Sequence, residues 1–200
     1  GRRYELMGWA ASNDSYIIED DYDSELRYFS KPIPALKSLE NSSRVIYLGS
    51  FSSTLFAAVK ISYMVLPEEM ARLFSSMAQD SQTCSKLEQL TLAMFMESGH
   101  YQTHIKKLRK LYSQKLSAVT DTFAEEASDF VTVKNTSSGI SVILNVKSRK
   151  TTEELKKDAE QLGIPAVPHP KEGLLALYYN QIPLVEIPRL FRTLIEKWRS

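Results

Sequence analysis

Apolar and polar positions follow two rhythms along the chain. Up to residue 67 the apolar stretches are short and interrupted, and from there to about residue 122 a 3.6-residue period dominates. Residues 3 to 12 suit a short helix. SYIIEDDYDS then drops abruptly from apolar to acidic, as a short buried strand ending in carboxylates would. KPIPALKSLENSS carries two prolines, which predicts a loop or a single helical turn, with NSS as the break before a strand at RVIYLGS. A hydroxyl-rich turn follows, with Ser50, Ser52, Ser53 and Thr54 in five positions, and then a second strand in KISYMVLP. Pro67 with Glu68 and Glu69 opens the next helix, because proline and acids suit a first turn.

Leu87, Leu90, Thr91 and Met94 mark one helix face. Ile105, Leu108, Leu111, Tyr112, Leu116 and Val119 mark a longer one beyond a break at Gly99, and both faces are expected to point into a core. DFVTVK, a turn at NTSSG and ISVILNV then alternate as a hairpin or strand pair. A helix over 151–162 has Thr151 or Thr152 as N-cap, with Glu154 placed to complete a capping box. GIPAVP and GLLALYY read as short strands, and an amphipathic helix runs from about Leu184 through Trp198. Mixed strands and helices followed by a β-β-α-β-β-α tail predict an α/β protein whose last part is a smaller α+β subdomain. The expected division is 1–98 and 99–200, the second part opening with the long helix.

Composition narrows the function classes. Hydrophobic residues are 43%, charged residues 24% and the net charge is +1, which excludes a disordered chain and a bulk electrostatic nucleic-acid binder. The single cysteine, Cys84, fits a reducing compartment. No apolar stretch reaches the roughly 20 residues of a membrane helix and no signal-peptide core is present, so a cytoplasmic protein is expected.

Four constellations could carry chemistry. E-D-D-Y-D-S-E at 19–25 gathers carboxylates around one tyrosine at an expected strand end, where open α/β sheets bind ligands; a solvated acidic loop is the other reading. His100 and His104 have the spacing of a zinc-protease helix, but YQT between them lacks its glutamate, and two histidines near a helix start explain them as well. Lys106, Lys107, Arg109, Lys110 and Lys115 could meet phosphates, or form the wet face of a core helix. The hydroxyl-rich turn, with Lys60 a few residues on, has the makings of a phosphate cradle.

YIIEDDYDSELRY, KPIPALKSL, RVIYLGSFSSTLFAAVKISYMVLP and HIKKLRKLY together resemble, in order and spacing, the aminotransferase-like domain of the MocR branch of GntR transcriptional regulators. The resemblance implies part of a large domain of pyridoxal-phosphate enzyme fold type I over 1–98, then the small subdomain. It also implies a preceding winged helix-turn-helix that alone contacts DNA, a small amino-acid-like effector, a homodimer and no membrane. Asp20 matches the aspartate that pairs with the cofactor's pyridine nitrogen, and Tyr22 the tyrosine near its phenolic oxygen. Ser50 and Ser52 occupy the phosphate-binding turn, and Lys60 stands where an arginine usually grips the phosphate. Gln181 falls where an arginine holds the effector carboxylate.

Ser53 is the departure that matters. It occupies the position of the lysine that forms the Schiff base, and a hydroxyl cannot form an imine. The resemblance therefore implies an effector-sensing and oligomerisation domain that is not an enzyme and binds pyridoxal 5′-phosphate noncovalently and weakly, if at all. Two other readings stay open: an active aminotransferase, and a purely structural dimerisation domain.

Overall fold

The computed structural model describes residues 1–22, 24–29, 33–55, 59–77, 84–136, 139–169 and 173–199. Asp23 of the acidic run, Lys31 and Pro32, and the two serines of the expected NTSSG turn lie outside the described residues. By its contacts the chain divides into two units, Gly1–Glu25 with Lys31–Ile105, and Leu26–Ser30 with Lys106–Ser200.

In the first unit, helix α1 (Arg2–Ser12) leads into β1 (Ile17–Asp21). β1 runs parallel to β2 (Val45–Ser50), and β2 pairs antiparallel with β3 (Ser62–Val65). The register sets Asp20 beside Leu48 and Asp21 beside Gly49, so β1 and β2 end side by side. Between them the Glu19 carboxylate accepts the N–H groups of Leu36 (2.7 Å) and Lys37 (3.0 Å), capping a one-turn 3₁₀ helix at Leu36–Ser38 where the prolines predict a single turn. Asn41 turns the chain toward β2 with φ of 63°, a left-handed conformation that asparagine tolerates.

Among the described residues, only one face of this sheet carries a core. Met7, Leu36 and Val45, with Ile17 and Leu39, form a small core on it. The expectation of a buried β1 is corrected accordingly: its residues alternate between half-buried and exposed, and Ile18 on the open face is 66% exposed. Helices α2 (Glu68–Met77) and α3 (Lys86–Glu97) follow, and neither buries a residue. The expected core-facing stripe of α3 is an exposed one, with Leu87 at 75% and Met94 at 69%. Periodicity identifies an apolar face but not what lies against it.

Gly99, at φ of 75°, turns α3 into α4 (His100–Glu126); that left-handed conformation is costly for residues with a Cβ. Later in α4, Leu116 and Val119 are buried in the second unit's core with Phe123, as the stripe predicts for those two, whereas Leu111 is 39% exposed. The second unit continues as β4 (Val131–Val133), β5 (Ser141–Val146), α5 (Thr152–Gln161), β6 (Ala166–Pro168), β7 (Leu174–Tyr178) and α6 (Ile187–Arg199). Its sheet has the order β4-β5-β7-β6, antiparallel throughout, which matches the predicted β-β-α-β-β-α tail. Ile187, Phe191, Leu194, Ile195 and Trp198 form the buried stripe of α6, and Phe123 stacks on Trp198 at 6.3 Å. Thr151 caps α5 in a full capping box with Glu154.

Candidate functional site

The parallel pairing of β1 and β2 puts the candidate residues of both strand ends on one rim. Asp20 is in the last turn of the pleat of β1 and Ser50 ends β2. Both share the open face of the sheet, where with Leu48, Ser62, Met64 and Phe74 they line an open cleft of about 650 Å³. The Asp20 carboxylate is exposed and has no hydrogen-bond or ion-pair partner among the described residues. Its neighbours point the other way and are engaged: Glu19 caps the 3₁₀ turn, and Asp21 accepts the Tyr47 hydroxyl at 2.7 Å. Burial, aided by that bond, pushes the Tyr47 phenol well above its ordinary pKa.

The hydroxyls of the turn after β2 are largely committed within the fold. Ser53 Oγ donates to the Tyr22 carbonyl at 2.6 Å, tying the turn to the end of β1. Ser52 Oγ donates to the Val59 carbonyl at 3.2 Å, while the Ser52 N–H donates to Ser50 Oγ at 3.2 Å. Thr54, fully buried, shares a hydrogen bond with the Tyr101 hydroxyl at 3.3 Å, and its carbonyl meets His104 Nε2 at 2.6 Å. Burial raises the Tyr101 pKa. The donors left uncommitted among the described residues are the Ser50 hydroxyl proton, the Ser53 N–H and the ammonium of exposed Lys60 on the approach to β3.

Gly49 shapes the opposite face. A Cβ there would fall 2.3 Å from the Tyr63 ring, which lies across the glycine and continues a run of ring contacts through Tyr47, Phe51 and Tyr101 at 5.5–6.1 Å. Sequence reading missed this aromatic wall and the anchoring of His104. The signal was present in Tyr101 and His104, three apart on one face of α4.

The remaining candidates sit elsewhere. Gln181 is exposed in the turn after β7, in the second unit. Lys115 corrects the reading of the basic stripe as a wet face. It is 6% exposed, its Nζ donates to the Asn180 carbonyl at 2.7 Å, and burial lowers its pKa. Arg109 is likewise engaged, donating to the Arg27 carbonyl from Nε and Nη2. Among the described residues no group of three His, Cys, Asp or Glu side chains could hold a metal, and no helix is long and apolar enough to cross a membrane.

Chemically, the cleft could hold a protonated heteroaromatic ring nitrogen against Asp20, since a free carboxylate is an acceptor only, and an anionic group against the Ser50 hydroxyl. Residue 53 offers no amine, so an aldehyde could form no imine there.

No protein-family model matches the chain. YdeL, an uncharacterized HTH-type transcriptional regulator of Bacillus subtilis (strain 168), is 35% identical over 99% of this chain and 44% of its own length. The probable rhizopine catabolism regulatory protein MocR of Rhizobium meliloti is 31% identical over 81% of this chain and 33% of its own. The crystal structure of the multiple substrate aminotransferase from Thermococcus profundus superposes with a TM-score of 0.83 at 26% identity, over 98% of this chain and 51% of that one. The chain thus spans less than half the length of these regulators and about half of the aminotransferase. Its fold is that of type I aminotransferases, in part.

Proposed function

Because the chain is an aminotransferase-like domain of the MocR/GntR regulator type, we propose that it serves a transcriptional regulator as a sensing and self-association domain, without transamination of its own. Contact with DNA would come through a winged-helix module outside these residues. The effector would be a small amino-acid-like molecule, with Gln181 on its carboxylate side. Asp20, Tyr22, Ser50, Ser52 and Lys60 would hold pyridoxal 5′-phosphate weakly and noncovalently; when bound, such a group supplies an electron-withdrawing ring. In that arrangement Asp20 keeps a ring nitrogen protonated, and Ser50 with Lys60 balances a phosphate.

The observation that carries this reading is Ser53. A serine stands where an enzyme of this fold needs an amine, and its hydroxyl is already bonded to Tyr22. The exposed apolar faces of α2 and α3 support self-association as a homodimer. The same faces would also serve a purely structural dimerisation domain, which binds no cofactor.

The test is borohydride trapping after incubation with pyridoxal 5′-phosphate, with peptide mapping, beside an assay of amino-group exchange between amino and keto acids. Wild-type protein is expected to show no exchange and, on cofactor addition, a higher melting temperature; Ser53→Lys is expected to gain a trapped adduct at residue 53. Measurable exchange by the wild type would establish an aminotransferase. An unchanged melting temperature with the cofactor at a hundredfold excess over a micromolar Kd, where about 2.7 kcal/mol of stabilisation is due, would favour the structural reading.

A further inference from the structure

The second unit holds a cluster of cations that takes no part in the cleft of the first. Between β5 and α5 the chain reads Lys147, Ser148, Arg149, Lys150, and with Arg199 at the end of α6 these residues line one cleft of about 400 Å³. Hydrogen bonds fix the segment. The Lys147 N–H donates to the Phe130 carbonyl at 2.8 Å, and Ser148 Oγ accepts the Lys150 N–H at 3.1 Å while donating to the Trp198 carbonyl at 3.4 Å. The four cations then divide into two pairs. Lys150 turns inward, bonded to the Asp158 carboxylate at 2.9 Å and to the Lys197 carbonyl, and Arg199 lies 5.1 Å over the Phe130 ring, paired with Asp129 at 3.0 Å. Those two charges are balanced. Lys147 and Arg149 are exposed, and neither side chain has a hydrogen-bond or ion-pair partner among the described residues. Among the described lining residues Asp129 is the only acid, so two positive charges in the cleft stand unbalanced.

We propose that this cleft binds a small phosphate monoester, with Lys147 and Arg149 as its ligands. A phosphate monoester carries close to two negative charges on one group near neutral pH, which matches the two cations left over, whereas a carboxylate carries one. The planar fork of Arg149 suits two phosphate oxygens at once, and the Lys147 ammonium adds a point charge beside it. Lys150 and Arg199 act as supports. Their own bonds to Asp158 and Asp129 hold the loop and the end of α6 in place, so the two free cations are presented from a fixed segment. Size and charge decide between a small ester and a nucleic-acid backbone. The cleft has the volume of a small-molecule pocket, and the chain's net charge of +1 lacks the broad basic face that a duplex requires. Binding involves no covalent step.

Isothermal titration calorimetry of the whole chain with glycerol 3-phosphate at low salt tests it, with glycerol and acetate as controls. The ester should bind at one site with a Kd of about 1 mM or lower, weaken as salt is added, and far exceed either control. Lys147→Ala and Arg149→Ala should each weaken binding about threefold or more, and the double variant should abolish it. Arg149→Lys, which keeps the charge and loses the fork, should fall between Arg149→Ala and wild type. Lys86→Ala, an exposed lysine of the first unit, should change nothing. Melting temperatures report whether each variant is folded. Absence of saturable binding, or binding undiminished in a folded double variant, overturns the site. Acetate bound as tightly as the ester overturns the phosphate class. Duplex DNA bound more tightly than the ester through the same two residues overturns the small ligand and reassigns the cluster to a nucleic-acid backbone.

Discussion

Single residues set the chemistry, and their sequence identity says less than their partners do. The resemblance marks Ser53 as a missing amine, but nothing in the sequence shows its bond to Tyr22, because the two are 31 positions apart and meet only through the pairing of β1 with β2. Lys115 shows the reverse error: a lysine at a basic stretch reads as solvated, yet it is buried against the Asn180 carbonyl. Tyr179 carries a prediction of its own. It is fully buried, its hydroxyl donates to the Gly139 carbonyl at 2.6 Å beside a second bond from Tyr28, and burial raises its pKa far above the ordinary 10.0. A phenol whose folded pKa is raised stabilises fully below pH 10 and loses that contribution as pH climbs above it, because the unfolded chain releases the proton first. Urea unfolding followed by tryptophan fluorescence should therefore show stability falling as the pH rises above about 10. Tyr179→Phe should cost about 1 kcal/mol at pH 7 for the lost hydrogen bond and should flatten the alkaline fall, leaving the part due to Tyr47, Tyr101 and Tyr112, whose phenols burial also raises.

At the scale of elements, local signals were the reliable ones. The capping box of α5, the one-turn helix after the prolines and the left-handed glycine between α3 and α4 are all written within a few residues of where they act. Thr151 makes this quantitative: its side chain accepts the Glu154 N–H, and the Glu154 carboxyl is held below its usual pKa first by the Thr151 N–H. Thr151→Ala should destabilise the second unit by about 1 kcal/mol in urea unfolding, and Thr151→Ser should restore most of it. Burial of an element was not equally legible. The stripe of α6 became core and the stripe of α3 did not, although both have the helical period. Periodicity fixes which residues share a face; it does not supply the opposite surface.

The molecule as a whole is unevenly consolidated. Among the described residues, the second unit has a core of twenty buried residues around Phe123, Phe191 and Trp198, whereas the core beneath the three-stranded sheet has three. Amide hydrogen exchange should accordingly be slowest in β5 and β7 and fastest in α2 and α3, by several orders of magnitude between the extremes. Comparable protection in α3 and β5 would mean that the apolar faces of the first unit are covered in solution, as self-association would cover them. The sequence by itself determined the order of elements, the caps and the breaks, because each of these depends on residue types at short spacing, and it carried the aminotransferase-like character as a resemblance. Only the tertiary structure decided that Asp20 and Ser50 share one cleft, that the proton of Ser53 is already given to Tyr22, that Lys115 is buried and that the stripe of α3 stays bare. Those outcomes depend on pairing register and on what packs against a face, and both join positions far apart in the chain.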